Sequence, residues 1–317
     1  MCCGDDDAVA PIEFHEIPEN GYLRLGITLS ALEKFMTRIG WSPDIGPGDK
    51  YERNEEELGW VTKKYGTYDP DVAVLSDKPN NLTGYDFVAA VQAWLVKQRS
   101  PGLSVLEVLR KEHFVGVGKA NTYYSHSLKP SPLGWTGTLA RMKLALKTHA
   151  RELPEDQTFF WLDILSLRQC ELEKNFSLPM MMGAVEACRV TVIEVDHYLE
   201  VFTHLQCLFE CYSALAVQRK LIINTYMVRD EARAVLRDKP INWEKAKALD
   251  KHYEDAARKY IDANRARRIE ALVSDAVRKG ARDEFITFGT DQGQGSDDSK
   301  TTNLSSNAFN NKKLKSW

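Results

Sequence analysis

Four short apolar runs, separated by stretches of helical spacing, constrain the fold more than any other feature of the chain. Asn121–Ser125 is aromatic and β-prone, Thr158–Leu165 reads TFFWLDIL, Val190–Val195 is β-branched except at Glu194, and Leu221–Asn224 is the fourth. Between them, Trp135, Leu139, Met142 and Leu146 share one helical stripe, as do Met180, Met181, Ala184, Val185 and Cys188. Leu205, Leu208, Phe209, Tyr212 and Leu215 form a third stripe. A strand that is apolar throughout, rather than alternating, has no face to give to water. Such strands joined by helices predict an α/β fold with a parallel sheet covered by helices on both faces. Strands are expected near 121–126, 158–164, 189–195 and 220–224.

The flanks have a different texture. Leu29, Leu32, Phe35, Met36 and Ile39 fall at helical spacing before Gly40, and the Pro-, Gly- and Glu-rich stretch 41–82 reads as loop. Helical spacing returns with Phe87, Val88, Val91, Trp94 and Leu95. Ser104 with Glu107 three residues later reads as a capping box. After residue 228 the chain is charged and helical, and Asn242 is expected to cap a helix running to Gly280. From Gly289 onward Gly, Ser, Asn, Asp and Thr dominate, too polar to bury a core. The organisation read from sequence is an N-terminal helical and irregular segment (1–83), an α/β domain with its leading helices (84–227), a charged helical extension (228–288) and a disordered tail (289–317).

Charge and cysteine content narrow the partners. The 42 Lys and Arg against 45 Asp and Glu leave a net charge of −3 over 317 residues, without the basic excess that drives phosphate-backbone binding. Nucleic acid is not an expected partner. Six cysteines are too few for a disulfide framework and read as reduced thiols of a cytoplasmic protein. No run approaches the ~20 apolar residues of a membrane span. Cys2 and Cys3 are adjacent and open to S-acylation, although three aspartates follow them and position 2 is not the glycine that myristoylation requires.

In an open parallel sheet the ligand crevice lies at the carboxyl ends of the strands. The polar residues there are Ser125, His126 and Ser127, then Asp163 and Ser166, then Glu194, Asp196 and His197. Glu210 stands alone in the apolar, Cys-rich stretch Leu205–Tyr212, either as a helix-face ion-pair partner or as a desolvated carboxylate facing the crevice. Cys207 and Cys211, at i and i+4, lack the further ligands of a metal site and read as core thiols. Gly116-Val-Gly118-Lys119 has no phosphate-loop spacing and reads as a tight turn feeding the first strand. His126, Asp163 and a neighbouring serine lack the G-x-S-x-G elbow of a nucleophilic triad.

Taken together, Val117–His126, Phe159–Gln169 and Gln206–Tyr212 resemble a TIR-like family of algae and other protists, whose members read approximately VGxATxFVSHxW, FFWxDxFSxxQ and SxxWCLxE. The resemblance covers about residues 84–285. It implies a flavodoxin-like fold with the site beside the first strand. It also implies that Glu210 matches the glutamate with which active TIR domains cleave the nicotinamide–ribose bond of NAD. Substrate-pocket positions carried over with it are Ser125, His126, Ser127, Asp163, Ser166 and Cys207. NAD or a related nucleotide would then be substrate, with no resident cofactor. The chain departs from the pattern at Thr203, Gln206 and Leu128, where the family has Ser, Trp and Trp. Many TIR domains act by self-association without catalysis. The expectation is therefore a noncatalytic TIR-like signalling or interaction module, and the alternative is an NAD(P) glycohydrolase.

Overall fold

The computed structural model describes residues 17–19, 21–39, 84–128, 142, 154–172, 177–195, 199–224, 234–235, 238, 241–248, 254–255, 257–258, 263–280 and 285–288. The readings at Cys2, Cys3, Trp135, Leu139, Leu146, Asp196, His197, the whole of 41–82 and the tail lie outside these residues.

The apolar runs form strands. β3 (Thr122–Ser125), β4 (Phe160–Trp161), β5 (Val190–Glu194) and β6 (Lys220–Asn224) are mutually parallel, β3 lying between β4 and β5 and β5 between β3 and β6. Counted along the chain, these four stand in the order second, first, third, fourth, as in a flavodoxin-like sheet. The sheet as a whole is mixed, not purely parallel. β1 (Leu25–Ile27), β2 (Val117–Lys119) and β7 (Phe285–Phe288) add antiparallel to give seven strands, ordered β2-β1-β4-β3-β5-β6-β7.

Three of these strands correct the sequence reading. Leu25–Ile27 belongs to a stretch expected to be helical and irregular, yet it pairs with both β2 and β4. Val117–Lys119 is a strand where a tight turn was expected. The turn precedes it, at Gly116, whose φ of 96° favours glycine and where an added Cβ would lie 2.5 Å from the Ala31 Cβ. Phe285–Phe288, in the expected helical extension, is the strand beside β6.

Residues alternate between two cores along each strand. Tyr123, Trp161, Ile193, Leu221 and Ile223 pack under α5 (Leu178–Ala187), α6 (Leu205–Ala216) and α7 (Ala263–Gly280). Tyr124, Phe160, Val192 and Ile222 pack against α1 (Leu29–Arg38), α2 (Gly84–Lys97), α3 (Val105–Lys111) and α4 (Asp163–Ser166). Helices on both faces follow from strands that are apolar on both sides.

Local chemistry sets several element ends. The Ser104 hydroxyl accepts from Glu107 N–H at 3.2 Å while the Glu107 carboxylate accepts from Ser104 N–H at 2.7 Å, the capping box expected at the start of α3. Arg168 then donates to both Glu107 carboxylate oxygens, at 3.1 and 2.9 Å, tying the loop after α4 to α3. The expected strand 158–164 is cut to two residues because the chain turns helical at Asp163, where Ser166 N–H closes back on Leu162 C=O at 2.7 Å. Asn242 does not open a helix to Gly280. It caps a single turn, its side chain accepting from Lys245 N–H at 3.0 Å, and α7 begins at Ala263.

Candidate functional site

β3 ends where the chain order of the parallel strands reverses, and its last residues send side chains to alternate faces. Tyr123 lies flat on Trp161, with ring centroids 4.7 Å apart and planes 13° apart, and its hydroxyl donates to Glu210 Oε1 at 2.7 Å. Tyr124, on the other face, donates to Glu194 Oε2 at 3.0 Å. Two consecutive tyrosines of one strand thus hold two buried carboxylates on opposite sides of the sheet. Glu210 and Glu194 are each only 3% exposed.

His126 follows at the strand end, and its Nε2 meets Asp163 Oδ1 at 3.1 Å. Asp163 is the more exposed of the two, and the same oxygen accepts from Ile164 N–H at 2.7 Å. Gln169 donates to the Asp163 carbonyl at 2.8 Å, which fixes the first turn of α4. From α6, the Cys207 thiol faces the His126 carbonyl at 3.8 Å, and Gln206 Nε2 lies 3.4 Å from Glu210 Oε1. The Ser125 hydroxyl is buried without a hydrogen bond of standard geometry, yet it lies close enough to Glu210 and Cys207 to ease the ionisation of both.

The charges in this cluster are interdependent. Burial pushes the Glu210 carboxyl up to about 7, with nearby Asp163 adding to the rise and Ser125, Tyr123 and His126 opposing it. Burial alone would lower His126, but the Asp163 carboxylate, with Glu194 and Glu210 beyond it, raises it to about 8. Burial also raises the Cys207 thiol well above its ordinary value, so it is a weak nucleophile at neutral pH.

Of the residues singled out from sequence, Ser125, His126, Asp163, Cys207 and Glu210 therefore gather at one end of the sheet. Ser127 follows half-buried, just beyond it. Ser166 does not join the cluster. It is fully buried, and its hydroxyl donates to the Leu25 carbonyl of β1 at 3.4 Å, so its local role is to anchor that strand. Among the described residues Glu210 meets a hydroxyl and an amide, and His126 lies near enough for its charge to favour the ionised carboxylate. The two tyrosines are the partners that sequence reasoning left unassigned. The available signal was strand parity, which puts Tyr123 and Tyr124 on opposite faces of the sheet.

Cys170, Cys188, Cys207 and Cys211 are all free and buried. Among the described residues no group of three or more His, Cys, Asp or Glu side chains is placed to hold a metal ion. No described helix is long and apolar enough to cross a membrane.

No protein-family model, no curated protein and no solved structure matches this chain.

Proposed function

We propose that this chain is a noncatalytic TIR-like signalling or interaction module of the cytoplasm, acting through association with a second copy of itself or with another protein. The observation that carries the reading is the state of Glu210. Its carboxylate is enclosed, and the one oxygen Oε1 accepts from Tyr123 and faces the Gln206 amide. Where the TIR-like pattern has a tryptophan, this chain has an amide turned toward the carboxylate. Glu210 thereby serves as an internal fixture of the β3–α6 contact.

A second reading, NAD(P) glycohydrolase, is favoured by one specific fact. A buried carboxylate raised to about 7, in a cluster with His126 and Asp163 where the strand order reverses, is the kind of perturbed group that functional sites keep. Its chemistry would need only one carboxylate. Nicotinamide departs as a neutral leaving group with the electron pair of the broken C–N bond. An ionised Glu210 would stabilise the oxocarbenium-like ribose, and a water molecule adds at that carbon and releases its proton to solvent. Incubating the purified chain with NAD and following nicotinamide release separates the readings. The noncatalytic reading predicts no release above the protein-free rate, and release that disappears in Glu210→Gln would establish the second.

A further inference from the structure

We propose that residues 241–248 form a strap whose docking sets the position of α6 and, through it, the Tyr123–Glu210 contact. The first turn of any helix leaves N–H groups without intrahelical partners. At the start of α6, His204 supplies no side-chain cap. A carbonyl from the strap takes that place. Leu205 N–H donates to Lys247 C=O at 3.0 Å and Lys247 N–H donates to Thr203 C=O at 2.8 Å, a one-residue parallel bridge between His204 and Lys247. One turn further along, Trp243 packs edge-on against Phe209, the neighbour of Glu210, with ring centroids 5.5 Å apart.

The strap is gripped from its outer side as well. Glu270 of α7 accepts from Trp243 N–H at 3.1 Å, and Glu254 accepts from Ala248 N–H at 3.3 Å. Arg258 donates to the Ala246 carbonyl at 2.6 Å and the Glu244 carbonyl at 3.3 Å, while pairing with Glu254 at 3.0 Å. Ile241, Trp243 and Ala246 seat the inner side in the core, while the outer side is held by partly exposed polar anchors that each contribute little, so the short segment docks or releases as a unit. α6 keeps its packing on α5, β5 and β6 on release, while its N-terminal half, which carries Phe209 and Glu210, is left to adjust. Its first turn loses its cap. Tyr123 is held separately by its stack on Trp161, so a shift of α6 is felt at the Tyr123–Glu210 hydrogen bond. This coupling rests on packing alone and is independent of whether the cluster turns over a nucleotide.

The test uses the full chain carrying Trp243→Ala or Arg258→Gln, with Trp243→Phe as the conservative control. Hydrogen exchange is measured on peptides spanning 203–211 and on β3 and β5. The titration of Glu210 is followed by carboxyl-carbon NMR, with Glu210→Gln assigning the signal. The expected result is exchange of the first-turn amides of α6 at least ~10-fold faster in both variants, with β3 and β5 unchanged. Losing the Tyr123 hydrogen bond removes a contact that favours the ionised carboxylate, so the Glu210 midpoint should rise above about 7, and Trp243→Phe should behave like wild type. Should Trp243→Ala fail to fold, Arg258→Gln decides, because that side chain is 35% exposed and outside the core. Unchanged α6 exchange in the folded variants, or acceleration spread equally over β3 and β5, would overturn the proposal.

Discussion

Replacing Glu210 with glutamine should stabilise this protein at alkaline pH. The side chain is fully enclosed, and burial raises its carboxyl from 4.5 to about 7. Between those values the folded state holds a proton that the unfolded chain has released, so stability falls as pH rises across the window, and the whole cost is present above pH 7. A shift of this size corresponds to at most about 3 kcal/mol. Glutamine is isosteric, carries no charge to desolvate, and can still accept from Tyr123 through its amide oxygen. The expected outcome of Glu210→Gln is therefore a gain approaching ~3 kcal/mol at pH 8, on the order of 5–10 °C in melting temperature, shrinking to near zero by pH 4. Thermal or urea melts of both proteins across pH 4–9 provide the comparison. If the variant were less stable than wild type at pH 8 by more than about 1 kcal/mol, the carboxylate would be compensated by a cation and the reasoning would fail.

Three further outcomes follow from the same geometry. His126, raised from 6.5 to about 8, contributes stability that is fully present below pH 6.5 and lost as pH rises through 8; an imidazole NMR titration should find its midpoint near 8, and His126→Gln should flatten the stability profile between those values. Tyr123→Phe removes the donor at 2.7 Å from Glu210 and should cost ~1–3 kcal/mol at pH 8 but less at pH 5, where the carboxyl is largely protonated; equal losses at both pH values would count against the hydrogen bond as the cause. Gly116→Ala should cost more than ~1 kcal/mol in denaturant melts, because it combines a φ of 96° with a Cβ placed 2.5 Å from Ala31.

The parallel centre of the sheet was legible because strands covered on both faces carry consecutive apolar, aromatic or β-branched residues rather than an apolar–polar alternation, as in Thr122–Tyr124, Val190–Ile193 and Leu221–Ile223. The flanking strands were not. Leu25–Ile27 is three residues with a central glycine, and nothing in so short a run separates a strand from a loop. Its place is set by distant partners, namely the Trp161 indole on the Leu23 carbonyl at 2.9 Å and Ser166 on Leu25. β2 contains Gly118, which reads as a breaker. In the fold it is a close approach, since a Cβ there would meet the Phe159 ring at 2.6 Å. The run TFFWLDIL was read as one strand because a short apolar stretch fits a buried helix equally well, and only the turn at Asp163 divides it. At the site, strand-end placement brought forward Ser125, His126 and Asp163, and an isolated charge in an apolar helix brought forward Glu210. The Tyr123–Glu210 and Tyr124–Glu194 pairs depend on which face each residue takes, and that is fixed only once the strand's neighbours are known.

The central claim, that Glu210 is an internal fixture and not a reacting group, is tested most directly by NAD turnover in the 317-residue chain. Purified wild type and Glu210→Gln are incubated with NAD at pH 6, 7 and 8, and free nicotinamide is quantified by chromatography. The expected result is the protein-free rate for both proteins at every pH. Nicotinamide release by wild type that rises as the Glu210 carboxyl ionises through about pH 7, and that vanishes in Glu210→Gln, would contradict it.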